Sequence, residues 1–183
     1  MSTVYLIRHG RTEANEKHFY CGSTDLHLTE AGAAALSDLH YEVGDARFIT
    51  SGMIRTEETL RGLFGDVPHA VNREFREIDF GVFEMHGYED LRDRADYQAW
   101  LTGDNDANVP PEGESGNQMR SRVVKAFRAL QAEDRDTVVI THGGVIAIIL
   151  ETLFPQCGKN RYQLQPKPGY GYAIENGTFH PIP

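Results

Sequence analysis

The sequence predicts an α/β layered fold with a mainly parallel sheet, and two observations carry that prediction. Short apolar runs at Val4-Tyr5-Leu6-Ile7, Phe48-Ile49-Thr50 and Val138-Val139-Ile140 alternate with segments of helical periodicity. Such alternation buries its apolar faces by stacking helices on parallel strands. Val138-Val139-Ile140 is also apolar throughout, as a central strand covered on both faces requires.

The elements follow in order. Val4 to Ile7 reads as the first strand; Gly10 follows, and a helix is expected to start near Thr12. Thr29 is placed to cap a helix over 31–39. After the strand at Phe48, Ser51 is expected to cap a helix that runs to Phe64 and stops at Gly65. Residues 67–71 read as an edge strand, with Pro68 near its start. The stretch 75–111 is the least regular. It holds an expected short helix over 88–101, then a polar loop through Asp104, Asn105 and Asp106 to Pro110-Pro111. Ser115-Gly116-Asn117-Gln118 has capping-box spacing, and Met119, Val123, Phe127 and Leu130 then recur at helical intervals. Residues 145–154 are apolar nearly all round, which predicts a buried helix ended by Pro155. Asn176-Gly177 between Tyr172-Ala173-Ile174 and Thr178-Phe179 is a hairpin signal.

With 183 residues, 40% hydrophobic and 25% charged, the chain suits one domain, residues 1–183. Its 18 basic against 27 acidic residues, a net charge of −9, argue against nucleic-acid and anionic-membrane partners. An anionic substrate remains compatible, because local charge in a cleft can oppose the net charge. Cys21 and Cys157 lack metal-ligand spacing and read as free thiols. No signal peptide or membrane span is apparent, so the cytoplasm is expected.

Active sites of such folds gather at the carboxyl ends of the strands, which brings Arg8-His9, the segment after Thr50 and His142 to one sheet edge. The residue types suit phosphate chemistry. A phosphate ester needs its equatorial oxygens neutralised and a nucleophile in line with the leaving oxygen. An arginine fork serves the first need, and a histidine with one unprotonated nitrogen serves the second. A carboxylic acid or a histidine can then protonate the leaving oxygen. Taken singly, Arg8-His9 reads as a solvated loop, Arg55 as a surface charge and His142 as a core histidine. Together, at strand ends, they read as a site. Glu74, Glu77, Asp79 and Glu84 lie close together in sequence, and the residues alone do not choose the acid among them.

Leu6-Ile7-Arg8-His9-Gly10-Arg11-Thr12-Glu13-Ala14-Asn15 resembles the R-H-G-x-T-x-x-N signature of the histidine phosphatase superfamily, also called phosphoglycerate mutase-like. Further segments resemble the family in the same order. They are Cys21-Gly22-Ser23-Thr24-Asp25-Leu26, Ser51-Gly52-Met53-Ile54-Arg55-Thr56, Arg76-Glu77-Ile78-Asp79-Phe80-Gly81, the loop from Pro110 to Ser115, and Thr141-His142-Gly143-Gly144. The resemblance implies a three-layer α/β/α sandwich around a mainly parallel mixed sheet. It implies that His9 attacks phosphorus and becomes a phosphohistidine. Arg8, Arg55 and His142 then surround the phosphoryl group, and Glu77 is the acid. Asn15 and the backbone near Ser23 and Gly143 complete the phosphate pocket. No metal and no cofactor are expected; the partner is a small phosphorylated substrate, and a homodimer is left open.

Three departures stand out. Arg11 occupies a place where the family often has Glu or Gln. Phe83-Glu84-Met85 stands where many members carry Trp-Glu-Gly, which puts the leaving-group pocket in doubt. Thr56 stands where Ala is common and is expected to be without consequence. Phe19, Tyr20, Met85, His86, Tyr88 and Trp100 are candidates for an apolar pocket or for core. The expected function is metal-independent hydrolysis of a small phosphomonoester. The short chain and the Pro110 loop resemble α-ribazole phosphatases and broad-specificity bacterial phosphatases. A cofactor-dependent phosphoglycerate mutase and a non-catalytic phospho-ligand-binding domain are the alternatives. The mutases carry a longer region after the acid motif.

Overall fold

The computed structural model describes residues 2–104 and 106–183, so Asn105 of the expected polar loop lies outside the described residues. Its sheet contains β1 (Val4–Arg8), β2 (Arg47–Thr50), β3 (His69–Val71), β4 (Thr137–Thr141), β5 (Gly171–Glu175) and β6 (Thr178–Ile182), in the order β3-β2-β4-β1-β5-β6. The first four strands pair in parallel, and β5 and β6 are antiparallel. The hairpin between β5 and β6 turns at Asn176 and Gly177, whose φ values of 49° and 74° are both positive, as a tight primed turn demands.

Alternation along the central strands builds the two outer layers. Val4, Leu6 and Val139 point into one core with Val123 and Phe127 of α6 (Gly116–Ala132) and Ile146 and Leu150 of α7 (Gly143–Leu153). Ile7, Val138 and Ile140 point into the other with Leu60 of α3 (Ile54–Phe64). Successive side chains of a strand face opposite ways, so an uninterrupted apolar run serves both layers at once.

Thr12 caps α1 (Glu13–Lys17) in a capping box with Asn15, and Thr29 caps α2 (Glu30–Leu36). Helix α2 stops short of residue 39 because the Ser37 hydroxyl takes the Ala34 carbonyl at 2.7 Å, and the chain tightens into a turn. The expected helix over 88–101 is two helices, α4 (Tyr88–Leu91) and α5 (Ala95–Leu101). Leu91 and Tyr97 both bury in a satellite cluster around Phe83. At their spacing a continuous helix would point them about 120° apart, so the break at Arg94 lets both reach it. The capping box at Ser115 and Gln118 forms as expected. A short α8 (Arg161–Leu164) packs on α7 before β5. Among the described residues, no helix is long and apolar enough to cross a membrane.

Candidate active site

Strand register assembles the site. Arg8 pairs with Thr141 and Thr50 with Ile140, so the residues that follow these strands emerge side by side. The His9 N–H donates to the Thr141 carbonyl at 2.9 Å, which ties together the loops that follow β1 and β4. They border a cavity of about 630 Å³ lined by Arg8, His9, Asn15, Arg55 and Glu77 among others.

His9 is buried, and its Nδ1 lies 2.7 Å from the Gly10 carbonyl. A carbonyl only accepts, so Nδ1 carries the proton and Nε2 keeps a free lone pair. Burial, then the charges of Arg55 and Arg8, hold the ring's pKa well below 6.5, against the pull of the Gly10 carbonyl. The Gly10 N–H donates to Thr59 Oγ1 at 2.8 Å, and that hydroxyl donates to the Arg55 carbonyl at 2.6 Å. The loop at His9 is thereby tied to α3.

His142 is the N-cap residue of α7, and its ring meets that of His9 edge-on with centroids 5.2 Å apart. Its Nε2 lies 2.8 Å from Ser51 Oγ, which lies 3.2 Å from Thr56 Oγ1; Thr56 in turn donates to the Met53 carbonyl at 2.7 Å. Among the described residues, its buried Nδ1 has no hydrogen-bond partner. Burial first, then Arg55, His9 and Arg8, hold this ring neutral too. One expectation changes here. Ser51 does not cap α3, whose N-cap residue is Met53 with no side-chain cap; the Ser51 hydroxyl is engaged with His142. Thr56 is a buried member of that chain.

The arginines are held by carbonyls, which orient a guanidinium without neutralising it. Arg8 Nη1 donates to Pro166 at 2.9 Å, and Arg55, only 1% exposed, donates to Thr24 and Gly22 at 2.8 Å each. Burial lowers the pKa of Arg8, and Glu77 opposes that shift.

Of the four neighbouring acids, Glu77 alone lines the cavity. Its carboxylate accepts the Ile78 N–H at 3.0 Å and the Gly144 N–H at 2.9 Å, at the start of α7. A Cβ on Gly144 would sit 2.3 Å from Glu77 Oε1, so this approach requires glycine. A Cβ on Gly143 would come within 3.1 Å of the Arg8 guanidinium and 2.8 Å of Gln165. Glu74 is exposed, Asp79 accepts from Ser23 Oγ and the Gly81 N–H, and Glu84 accepts from the loop at Gly22. Arg122 of α6 clasps the acid segment by donating to the carbonyls of Glu74, Arg76 and Glu77.

Asn15 lines the cavity while its Oδ1 is occupied by the Thr12 N–H and hydroxyl. Ser23, expected near the phosphate, does not line the cavity: it is exposed, and its N–H donates to Glu84 at 2.8 Å. His142 and Gly143 stand behind the cavity wall, against His9 and Arg8. Among the described residues, no group of three His, Cys, Asp or Glu side chains is placed to hold a metal ion.

The model of the histidine phosphatase superfamily, branch 1, matches residues 4–168. The chain belongs to this superfamily. An adenosylcobalamin/α-ribazole phosphatase of Salmonella typhimurium is 30% identical, over 94% of this chain and 89% of that one. A protein of Enterobacter sp. named as a probable phosphoglycerate mutase, GpmB, is 27% identical over 90% and 81%. A structure from Escherichia coli, provisionally identified as an α-ribazole-5'-P phosphatase, superposes with a TM-score of 0.82 at 26% identity, covering 98% of this chain and 94% of that one. A phosphoglycerate mutase structure from Thermus thermophilus gives 0.74 at 30% identity, over 95% and 93%. The phosphoglycerate mutase-like sandwich predicted for this histidine phosphatase superfamily member is therefore its fold.

Beyond Arg8 and His9, the superfamily member's cavity has an aromatic wall of Phe19, Tyr20, Phe80 and Trp100. Met85, His86 and Tyr88 do not line it; Met85 instead adopts a φ of 60°, the left-handed region that favours glycine. The far end carries Asp104, Asp106, Glu151 and Arg161, with Arg161 paired to Asp106 and Glu151 at 2.9 Å each. These distal residues carried no local signal, because Arg161 of α8, Asp106 and Glu151 meet only through the fold. Arg11 opens onto an adjacent recess with Arg8 and His18.

The buried histidines make a stability prediction. The folded chain holds both neutral, while the unfolded chain titrates them near 6.5. Below that value the unfolded state binds more protons, so stability falls as pH drops, by up to about 1.4 kcal/mol per pH unit for each ring. Urea midpoints measured between about pH 7.5 and about pH 5.5 are expected to fall. His142→Gln should flatten that slope, and an unchanged slope would assign the acid sensitivity to other groups.

Proposed function

We propose that the chain is a metal-independent phosphomonoester hydrolase working through a phosphohistidine on His9. The observation that carries this reading is the unprotonated Nε2 of His9, set by the Gly10 carbonyl, between Arg8 and Arg55 in a cavity shared with Glu77. Nε2 attacks phosphorus as the ester P–O bond breaks, and the leaving oxygen takes a proton from the Glu77 carboxyl. The Glu77 carboxylate then takes a proton from water, whose oxygen attacks phosphorus and breaks the P–N bond. Phosphate leaves, and His9 and Glu77 return to their starting states. Arg8 and Arg55 stabilise the spread charge of both transition states, and the neutral His142 ring packs edge-on against His9, which carries the phosphoryl group.

The aromatic wall suits a flat ring in the leaving group, which agrees with the α-ribazole phosphatase relatives and makes an α-ribazole-like phosphate the preferred substrate. The mutase relatives favour a second reading. Against it, the cation at the distal end of the cavity, Arg161, is already paired with Asp106 and Glu151, and Asp104 stands beside them, where a bisphosphate or phosphoglycerate would place more negative charge. The test is a panel of phosphomonoesters assayed with a chelator present. Hydrolysis is expected to persist and to favour esters of ring-bearing alcohols over 3-phosphoglycerate. Metal-dependent turnover, or phosphoryl transfer that needs a bisphosphate primer, would overturn the reading.

A further inference from the structure

We propose that Glu84 is a positioning residue that sets the Arg55 guanidinium through the Gly22–Thr24 loop; this rests on the reading of Arg55 as a phosphoryl clamp. Glu84 does not line the cavity, and its carboxylate is the hub of a backbone nest. It accepts the N–H groups of Gly22 at 2.9 Å, Ser23 at 2.8 Å and Thr24 at 3.4 Å, together with the Thr24 hydroxyl at 2.8 Å and the Phe80 N–H at 3.1 Å. Successive N–H groups converging on one anion form a concave site, and here a side chain of the same protein fills it. With these N–H groups turned to Glu84, the carbonyls of Gly22 and Thr24 face Arg55 and receive its two terminal nitrogens at 2.8 Å each. The loop has little freedom to slide, since a Cβ at Gly22 would lie only 1.6 Å from the Ile78 carbonyl oxygen. Ile78 directly follows Glu77, so the same contact registers Arg55 against the acid.

The chemistry of the nest demands an anion. A carboxylate presents only acceptors to these donors, and bonds to a charged acceptor are the strong ones. An amide at this position would turn an NH₂ group toward backbone N–H groups, and the loop would have to move. Arg55 would move with it, and a displacement of about 1 Å at a clamp costs on the order of 10²-fold in rate.

Binding of vanadate, a phosphoryl transition-state mimic, tests this without requiring turnover. Calorimetry would compare wild type, Glu84→Gln, Arg55→Met and the double variant. Glu84→Gln is expected to weaken vanadate by about tenfold or more, and to add nothing in the Arg55→Met background, because coupled residues are non-additive. Should Glu84→Gln fail to fold, Thr24→Val removes one bond to the carboxylate and runs the same cycle with a smaller loss. Losses that add across the cycle, or vanadate affinity unchanged in the single variant, would overturn the proposal alone. Wild type that binds no vanadate would overturn the phosphoryl site itself and this inference with it.

Discussion

His9→Ala is expected to lower kcat on every phosphomonoester by at least about 10⁴-fold, the scale seen when a nucleophile is removed from an enzyme that keeps its other groups. The other groups are poorly suited to take over attack: Cys21 lines the same cavity, but burial pushes its thiol up to about 11, away from the reactive thiolate. Among the groups beside it, the arginines carry no lone pair for phosphorus, and Glu77 is held to the N–H groups of Ile78 and Gly144. His142 stands behind the cavity wall with its Nε2 on Ser51. The same experiment has a covalent readout. Quenching the wild type during turnover of a ³²P-labelled ester should trap an acid-labile, base-stable label, absent from His9→Ala. Retained label in the variant would move the nucleophile, and retained activity would remove it altogether. The far-ultraviolet spectrum should be unchanged, because the Gly10–Thr59 and His9–Thr141 contacts are made by backbone.

The second large effect is selective. Glu77→Gln keeps the size of the acid but cannot deliver its proton. Loss of a general acid costs about 10²–10⁴-fold where the leaving group needs protonation. An alkyl phosphate should therefore lose activity on that scale, while an activated aryl phosphate, whose leaving group departs as a stable anion, should lose less than about tenfold. Plotting rate against leaving-group pKa for both proteins measures the difference as a steeper slope in the variant. Equal losses on both ester classes would assign Glu77 to positioning and send the acid role elsewhere.

The fold was legible where a local pattern repeats one physical rule. The apolar runs at Val4 and Val138 alternate between two cores and need helices on both faces. Thr12, Thr29 and Ser115 cap helices because their hydroxyls lie within reach of nearby N–H groups whatever the rest of the chain does. The hairpin at Asn176-Gly177 is equally local. The failures were also local patterns, overridden by distant partners. Ser51 looks like a cap, yet His142 from another strand end takes its hydroxyl. Residues 88–101 look like one helix, yet Phe83 draws Leu91 and Tyr97 to one side and breaks it.

At the site, the sequence by itself determined the chemical inventory: Arg8-His9-Gly10 after the first strand, Arg55 on the third helix, His142 before Gly143-Gly144, and a run of acids. Those follow from residue type and from strand-end position. Only the tertiary structure decided which carboxylate faces the cavity, why Ser23 does not line it, and what Glu84 holds. Four acids in one short segment have the same chemistry, and their roles diverge only through contacts made across the fold. Gly144 reaches Glu77 from α7, Ser23 reaches Asp79, and the Gly22–Thr24 N–H groups close around Glu84. Residue spacing carries no record of such contacts, because each joins segments that only the sheet brings together.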